Sequence, residues 1–140
     1  MGNWDFVFVY DDVAAAWLAE QGYPAPAADA RGRLPTTAEF MKVWAEFDTE
    51  NQLYFDDFDW NSPESVPDQA FKFRGDRLIA LKVLMRLSQE CGQFWLYPDT
   101  GEPAIVVGPR LDAERANICH EESLTHDDAW QYFYRSLYGA

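Results

Sequence analysis

The segment from Arg77 to Cys91 constrains the fold more than any other, because as a helix it is apolar on almost every side. Asp76 can cap its first turn, and Gly92 stands where a helix commonly ends. Its narrow polar seam consists of Lys82, Arg86 and either Gln89 or Glu90. Such a helix must be nearly surrounded by other elements. The sequence therefore predicts a central helix around which the rest of the chain packs.

Capping residues predict three further helices. Asp12 is predicted to cap a short helix from Val13 to Gln21, with Gly22 just beyond it. Thr36 and Glu39 form a capping box ahead of an aromatic stripe at helical spacing. The stripe consists of Phe40, Val43, Trp44 and Phe47. Thr125 and Asp128 form a second capping box, which predicts a last helix. That helix carries Trp130, Phe133, Tyr134, Leu137 and Tyr138.

Two regions carry strand patterns. Residues 4–10 alternate with a period of two and are apolar on both sides from Phe6 onward, which predicts a strand inside a covered sheet. Phe94–Tyr97 and Ala104–Val107 flank a Pro-Asp-Thr-Gly-Glu-Pro turn, which predicts a β-hairpin near residues 93–108. We therefore expect an α+β fold with a small, mostly antiparallel sheet packed against about four helices.

The chain has 140 residues, enough for one hydrophobic core, so we expect a single domain over residues 1–140. It has no run of roughly 18 apolar residues and no signal-peptide pattern at its N-terminus. Its two cysteines, Cys91 and Cys119, have no metal or redox spacing. These features predict a cytoplasmic protein with free thiols.

Charge distribution predicts the kind of partner. The chain has 24 acidic and 11 basic residues, for a net charge of −13. Residues 1–68 hold 14 acids and three bases (net −11), whereas residues 69–140 hold 10 acids and eight bases (net −2). Because such a surplus repels nucleic acid and anionic membranes, we expect neither as a partner. A partner protein with a basic surface is favoured instead.

Leu53–Trp60, the acidic aromatic segment, interleaves four large aromatic side chains with three carboxylates. One interpretation is a strand end, with Leu53 and Phe55 in the core and the acids in solvent. The other is an interface, because aromatic residues are common hot spots and carboxylates complement Arg and Lys. The interface hypothesis assigns partner binding to Tyr54, Phe55, Asp56, Asp57, Phe58, Asp59 and Trp60, with Glu64 and Asp68 at the rim.

Catalytic and metal-binding alternatives centre on residues 119–128. Cys119, His120, Glu122 and His126 could form a small enzyme's site, but no zinc spacing or cysteine-enzyme signature is present. The acids of the acidic aromatic segment lack a calcium- or magnesium-loop pattern. We therefore expect no catalytic residue, no metal and no cofactor. An acidic adaptor protein that inhibits nothing is the other alternative.

The chain resembles the immunity proteins of bacterial polymorphic-toxin and type VI secretion systems. It shares with them a small, acidic, aromatic-rich domain with capped helices and without a set of catalytic residues. The turn at Pro98–Pro103 is a further feature of the resemblance. The resemblance covers the character of the whole chain and carries over no individual residue. It implies an inhibitor that binds a cognate toxin enzyme, often across the active site.

Overall fold

The computed structural model describes residues 4–28, 32–47, 53–56 and 69–139. Five strands form one antiparallel sheet in the order β2-β3-β1-β4-β5. The strands are β1 (Asp5–Val9), β2 (Leu53–Asp56), β3 (Gln69–Gly75), β4 (Phe94–Pro98) and β5 (Ile105–Val107). The helices are α1 (Asp12–Glu20), α2 (Thr37–Phe47), α3 (Arg77–Cys91), α4 (Ala113–Ser123) and α5 (Ala129–Tyr138). The predicted α+β class is confirmed, with five helices described instead of about four.

The predicted central helix is confirmed as α3. The Asp76 carboxylate accepts a hydrogen bond from the Ile79 N–H, and Gly92 follows the helix with a positive φ of 85°. Seven side chains of α3 are buried, and the helix contacts α2, α4 and the sheet strands β2, β3 and β5. On the same side of the sheet, Phe40 of α2 packs against Phe55 and Phe73.

The predicted capping box of α2 is also confirmed. The Thr36 hydroxyl accepts from the Glu39 N–H at 3.1 Å, and the Glu39 carboxylate accepts from the Thr36 N–H at 2.9 Å. Arg33 adds a bidentate contact to the same carboxylate. These contacts satisfy backbone donors that a helix start leaves unpaired.

Two predicted caps are wrong. Asp11, and not Asp12, caps α1, because its carboxylate accepts from the Ala14 N–H at 2.9 Å. No capping box forms between Thr125 and Asp128, since α5 begins only at Ala129. The Thr125 hydroxyl donates instead to the Glu122 carbonyl at the end of α4.

Two elements were absent from the sequence prediction. Strand β3 pairs with both β1 and β2 and thereby joins β2 to the rest of the sheet. Helix α4 is capped by Asp112, whose carboxylate accepts from the Arg115 N–H at 3.1 Å, and it packs between α3 and α5. The hairpin of β4 and β5 was predicted correctly.

Helix α5 lies along the outer edge of the sheet. Trp130, Tyr134 and Tyr138 donate hydrogen bonds to the carbonyl groups of Gly101, Ala104 and Val106, at 3.0, 2.6 and 2.6 Å respectively. Four helical residues rise about 6 Å and two strand residues about 6.6 Å. The spacing of the tyrosines therefore matches two alternate carbonyl groups, one just before β5 and one within it, and α5 covers this edge strand.

Candidate protein-binding surface

Alternation along the strands gives the sheet two different faces. One face is covered by α2 and α3 and holds the buried residues Val7, Phe73, Phe94 and Leu96. The other, the aromatic face, carries Trp4, Phe6, Phe8, Tyr54, Trp95 and Tyr97. Helix α1 and the start of α5 contact this face at β4, where Trp17 packs on Trp95 and Trp130 on Tyr97.

Tyr54, the first residue predicted to bind a partner, lies on the aromatic face. It is 44% exposed and stands on the edge strand β2. The Arg74 guanidinium lies 5.5 Å from its ring centre and 5.0 Å from that of Trp4, while the Lys72 amine lies 4.6 Å from the Trp4 ring. Cations over aromatic rings gain a modest attraction. Tyr54 is therefore held in a surface cluster and remains accessible.

The next predicted residue, Phe55, lies on the opposite, covered face. Its ring is half-buried, 4.8 Å from the Phe40 ring centre and 4.6 Å from that of Trp44. Leu53 is buried on the same side. This arrangement confirms that Leu53 and Phe55 enter the core, so the contact surface of β2 rests on Tyr54.

Strand β2 ends at Asp56. The remaining residues assigned to the interface lie outside the described part of the chain: Asp57, Phe58, Asp59, Trp60, Glu64 and Asp68. Their roles stay predictions.

A second exposed region lies on the aromatic face, between α1 and β4. An open groove of about 570 Å³ is lined by Phe8, Asp11, Val13, Trp17, Trp95 and Tyr97. We call it the aromatic groove. Val13 is 77% exposed and Trp17 is 42% exposed, although both are large apolar residues. They are four residues apart and therefore share one side of α1.

Acidic residues lie in and near the groove on the α1 side. Asp11 lines it, Asp12 is the exposed neighbour of Val13, and Glu20 lies three residues after Trp17 on the helix. Residues 4–28 contain neither lysine nor arginine. The described groove thus combines exposed aromatic surface with negative charge, as the interface hypothesis had proposed for the acidic aromatic segment.

The groove was not found by reasoning from the sequence, although a signal was present. Helix α1 buries Ala14 and Leu18 against the fold, while Val13 and Trp17 form a second apolar stripe beside that pair. A surface helix normally needs only one such stripe.

A polar cluster is buried on the covered face of the sheet, opposite the aromatic face. Arg77 at the start of α3 makes a bidentate contact to Asp5, with N–O distances of 3.1 and 3.2 Å. The same guanidinium donates to Glu102 at 3.2 Å and to His120 Nδ1 at 3.1 Å. Four different elements or turns therefore meet at one side chain.

The protonation states in this cluster follow from burial and charge. Since Arg77 can only donate, His120 Nδ1 accepts and Nε2–H donates to the Pro103 carbonyl at 2.9 Å. Burial, together with the Arg77 charge, lowers the pKa of His120 to about 4. Burial raises the pKa of Asp5 despite Arg77. The Glu102 pKa is lowered, because the Thr100 hydrogen bond and the Arg77 charge outweigh its burial.

The four alternative catalytic residues do not share one accessible site among the described residues: Cys119 and Glu122 line an open groove at α4, but neither His120 nor His126 lines it. His120 is fully buried with both ring nitrogens engaged, and burial raises the pKa of the Cys119 thiol. The exposed His126 stacks on Tyr132, whose hydroxyl donates to Glu122 at 3.4 Å. Among the described residues, no three His, Cys, Asp or Glu side chains are placed to hold a metal ion.

No helix among the described residues is long and apolar enough to cross a membrane. The sequence matches no protein-family model, and comparison with curated proteins and with solved structures finds no similar protein.

Proposed function

We propose that this protein is a cytoplasmic inhibitor of the immunity-protein type, which binds and neutralises a toxin enzyme with a basic cleft. The observation that carries the proposal is the pair of exposed aromatic residues at the aromatic face: Tyr54 on β2 is 44% exposed, and Trp17 on the adjoining α1 is 42% exposed. Aromatic side chains give large contact area at low entropic cost and are enriched among interface hot spots.

Charge supports the same kind of partner. The chain has a net charge of −13, and the β2 strand that presents Tyr54 ends at Asp56, which Asp57 and Asp59 follow in the sequence. An acidic surface accelerates encounter with a basic cleft, and carboxylates near an aromatic anchor complement Arg and Lys. Enzymes that act on nucleic acids or nucleotides have such basic clefts, because their substrates are anions.

The first test is to recover the partner and measure its activity. The tagged protein is purified from its native host at low and at high salt, and the co-eluting proteins are identified. We expect a basic enzyme that is retained at low salt and partly lost at high salt. Adding the protein at equal molar concentration should then abolish the enzyme's turnover. A partner that stays fully active when bound would identify an adaptor and overturn the proposal.

Substitutions then locate the centre of the interface. Tyr54→Ala, Phe58→Ala and Trp60→Ala are each expected to weaken binding by about 2 kcal/mol or more, through faster dissociation. Met41→Ala is the matched control, because Met41 on α2 is 43% exposed and does not lie on the sheet. Folded variants that dissociate at the wild-type rate would show that the centre of the interface lies elsewhere.

A further inference from the structure

The aromatic groove has the composition of a docking site and has no role in the fold as described. Its two exposed apolar side chains, Val13 and Trp17, project from α1 beside Trp95 and Tyr97. The Trp17 ring centre lies 6.1 Å from that of Trp95 and 6.0 Å from that of Trp130, so the groove wall is itself well packed. A firm apolar wall next to solvent can receive side chains from another molecule without rearranging.

The sheet restricts how a partner can bind there. The strands under the groove, β1 and β4, are interior strands, and each pairs with a neighbour on both sides. Their backbone groups are used in the ladders, so a partner cannot extend the sheet at this place. Recognition must come from side chains, and an amphipathic helix is the element that presents apolar side chains in a row to a groove.

The charges beside the groove restrict the partner further. Asp11 lines it just before α1, Asp12 and Glu20 lie at exposed positions on the same helix as Val13 and Trp17, and residues 4–28 contain no base. The nearest cations on the same sheet face, Lys72 and Arg74, belong to β3 and lie over the Trp4 ring. A second copy of this chain would place like charges against each other, whereas Lys and Arg beside the partner's apolar row would meet opposite charge.

From these constraints we propose that the aromatic groove binds a basic amphipathic helix of a partner protein. Apolar side chains of that helix, spaced at i, i+3, i+4 and i+7, contact Val13, Trp17 and Trp95. Its Lys and Arg side chains contact Asp11, Asp12 and Glu20. This inference rests on the proposed function for the partner's identity, and it adds a second contact on the aromatic face beyond Tyr54.

The direct test uses synthetic peptides of about 18 residues, long enough to form a helix, and isothermal titration calorimetry on the whole protein. The probe carries leucines at the spacing above and lysines elsewhere. A second peptide scrambles the same composition, and a third replaces lysine with glutamate. We expect binding of the probe, and binding at least about tenfold weaker for each of the other two.

Variants with matched controls assign the binding to the groove. Val13→Glu and Trp17→Ala should each weaken probe binding about tenfold or more, whereas Ile118→Glu on α4 should leave it unchanged. Ile118 is a suitable control because it is 57% exposed and lies on another helix. Asp12→Lys should weaken binding less and reduce its salt dependence, and Glu114→Lys makes the same charge change on α4. Since Val13 is 77% exposed, its replacement tests the groove even where Trp17→Ala impairs folding.

Three results overturn the inference: no binding of the probe, equal binding of the scrambled or acidic peptide, or binding that is unaffected by Val13→Glu. Self-association of the wild-type protein that Val13→Glu abolishes would also overturn it, with a second copy as the occupant. If the peptides fail while the recovered enzyme is still inhibited, only this inference is lost. If the probe binds as expected while no enzyme is inhibited, the proposed function is wrong and the groove assignment stands.

Discussion

Along the β5 edge, Trp130, Tyr134 and Tyr138 each donate a hydrogen bond to a backbone carbonyl group. Around the aromatic groove, Trp17 and Val13 are exposed, and the wall behind them consists of half-buried aromatic rings. Trp95 joins the two regions, because its ring lines the groove and its N–H donates to the Tyr134 hydroxyl at 3.2 Å. Similar residue types thus cover the β5 edge, here called the closed side, and leave the neighbouring aromatic groove, the open side, accessible.

The difference shows that aromatic content alone does not identify an interface. Every buried side-chain nitrogen and oxygen of the described residues has a hydrogen-bond partner within the chain, including those of the closed side. Helix α5 occupies the Ala104 and Val106 carbonyl groups and so covers the β5 edge against pairing with another molecule. On the open side, apolar area that would normally be buried stays in water. Substitutions on the closed side should change stability, and those on the open side should change binding.

The largest effect on stability is expected at Arg77. Arg77→Ala removes the partner of Asp5, which is only 7% exposed. It also removes the hydrogen bonds that Arg77 donates to Glu102 and His120. Leaving a buried carboxylate without its cation costs about 3–5 kcal/mol. Urea denaturation should show that loss in the free energy of unfolding.

Arg86→Ala serves as the control for that experiment. Arg86 forms a more exposed pair with Glu46 at 3.3 Å, and such surface pairs contribute about 0–1 kcal/mol. Equal losses for the two variants would contradict the importance given to the buried cluster.

Acid should destabilise the fold through His120. Its pKa in the folded protein is lowered to about 4 from 6.5, so between these pH values the unfolded chain takes up a proton that the folded protein does not. Above pH 6.5 this group should not affect the free energy of unfolding. By pH 4 it should lower that free energy by about 3 kcal/mol, because each unit of pKa difference corresponds to about 1.4 kcal/mol. Urea denaturation across this pH range measures the loss.

His120→Gln should make the pH dependence shallower, and His126→Gln, which replaces a histidine on the surface, is the matched control. The carboxylates of Asp5 and Glu102 also titrate in acid, and comparing each variant with wild type separates the histidine contribution from theirs. A wild-type slope in His120→Gln would show that carboxylates alone cause the acid sensitivity.

Elements with local signals were predictable from the sequence. Helix α3 has a cap at Asp76 and a stop at Gly92, and α2 has the Thr36 and Glu39 box. Helix α4 lacked such a signal on its inner side, where small or polar residues replace the usual apolar stripe. They are Ala113, Ala116, Cys119, His120 and Ser123. Hydrophobic periodicity cannot detect a helix of this composition.

Strand β3 and the buried cluster were missed for different reasons. The β3 sequence alternates Phe71 and Phe73 with Lys72 and Arg74, a strand pattern that was present and overlooked. In contrast, the residues that meet at Arg77 come from positions 5, 102 and 120, and no local spacing connects them. Such a cluster depends on tertiary packing, so it can be identified only from the folded structure.

The smallest and most direct test compares one hydroxyl group in each region. Tyr134→Phe removes both the donor to the Ala104 carbonyl and the acceptor for the Trp95 N–H, at a site without solvent exposure. Leaving buried polar groups unsatisfied costs about 1–3 kcal/mol. Tyr54→Phe makes the same chemical change where the side chain is 44% exposed, so unfolding free energy should stay within about 0.5 kcal/mol of wild type. Urea denaturation of both variants decides the matter: equal losses would mean that Tyr54 is part of the fold and not free to serve as a contact residue.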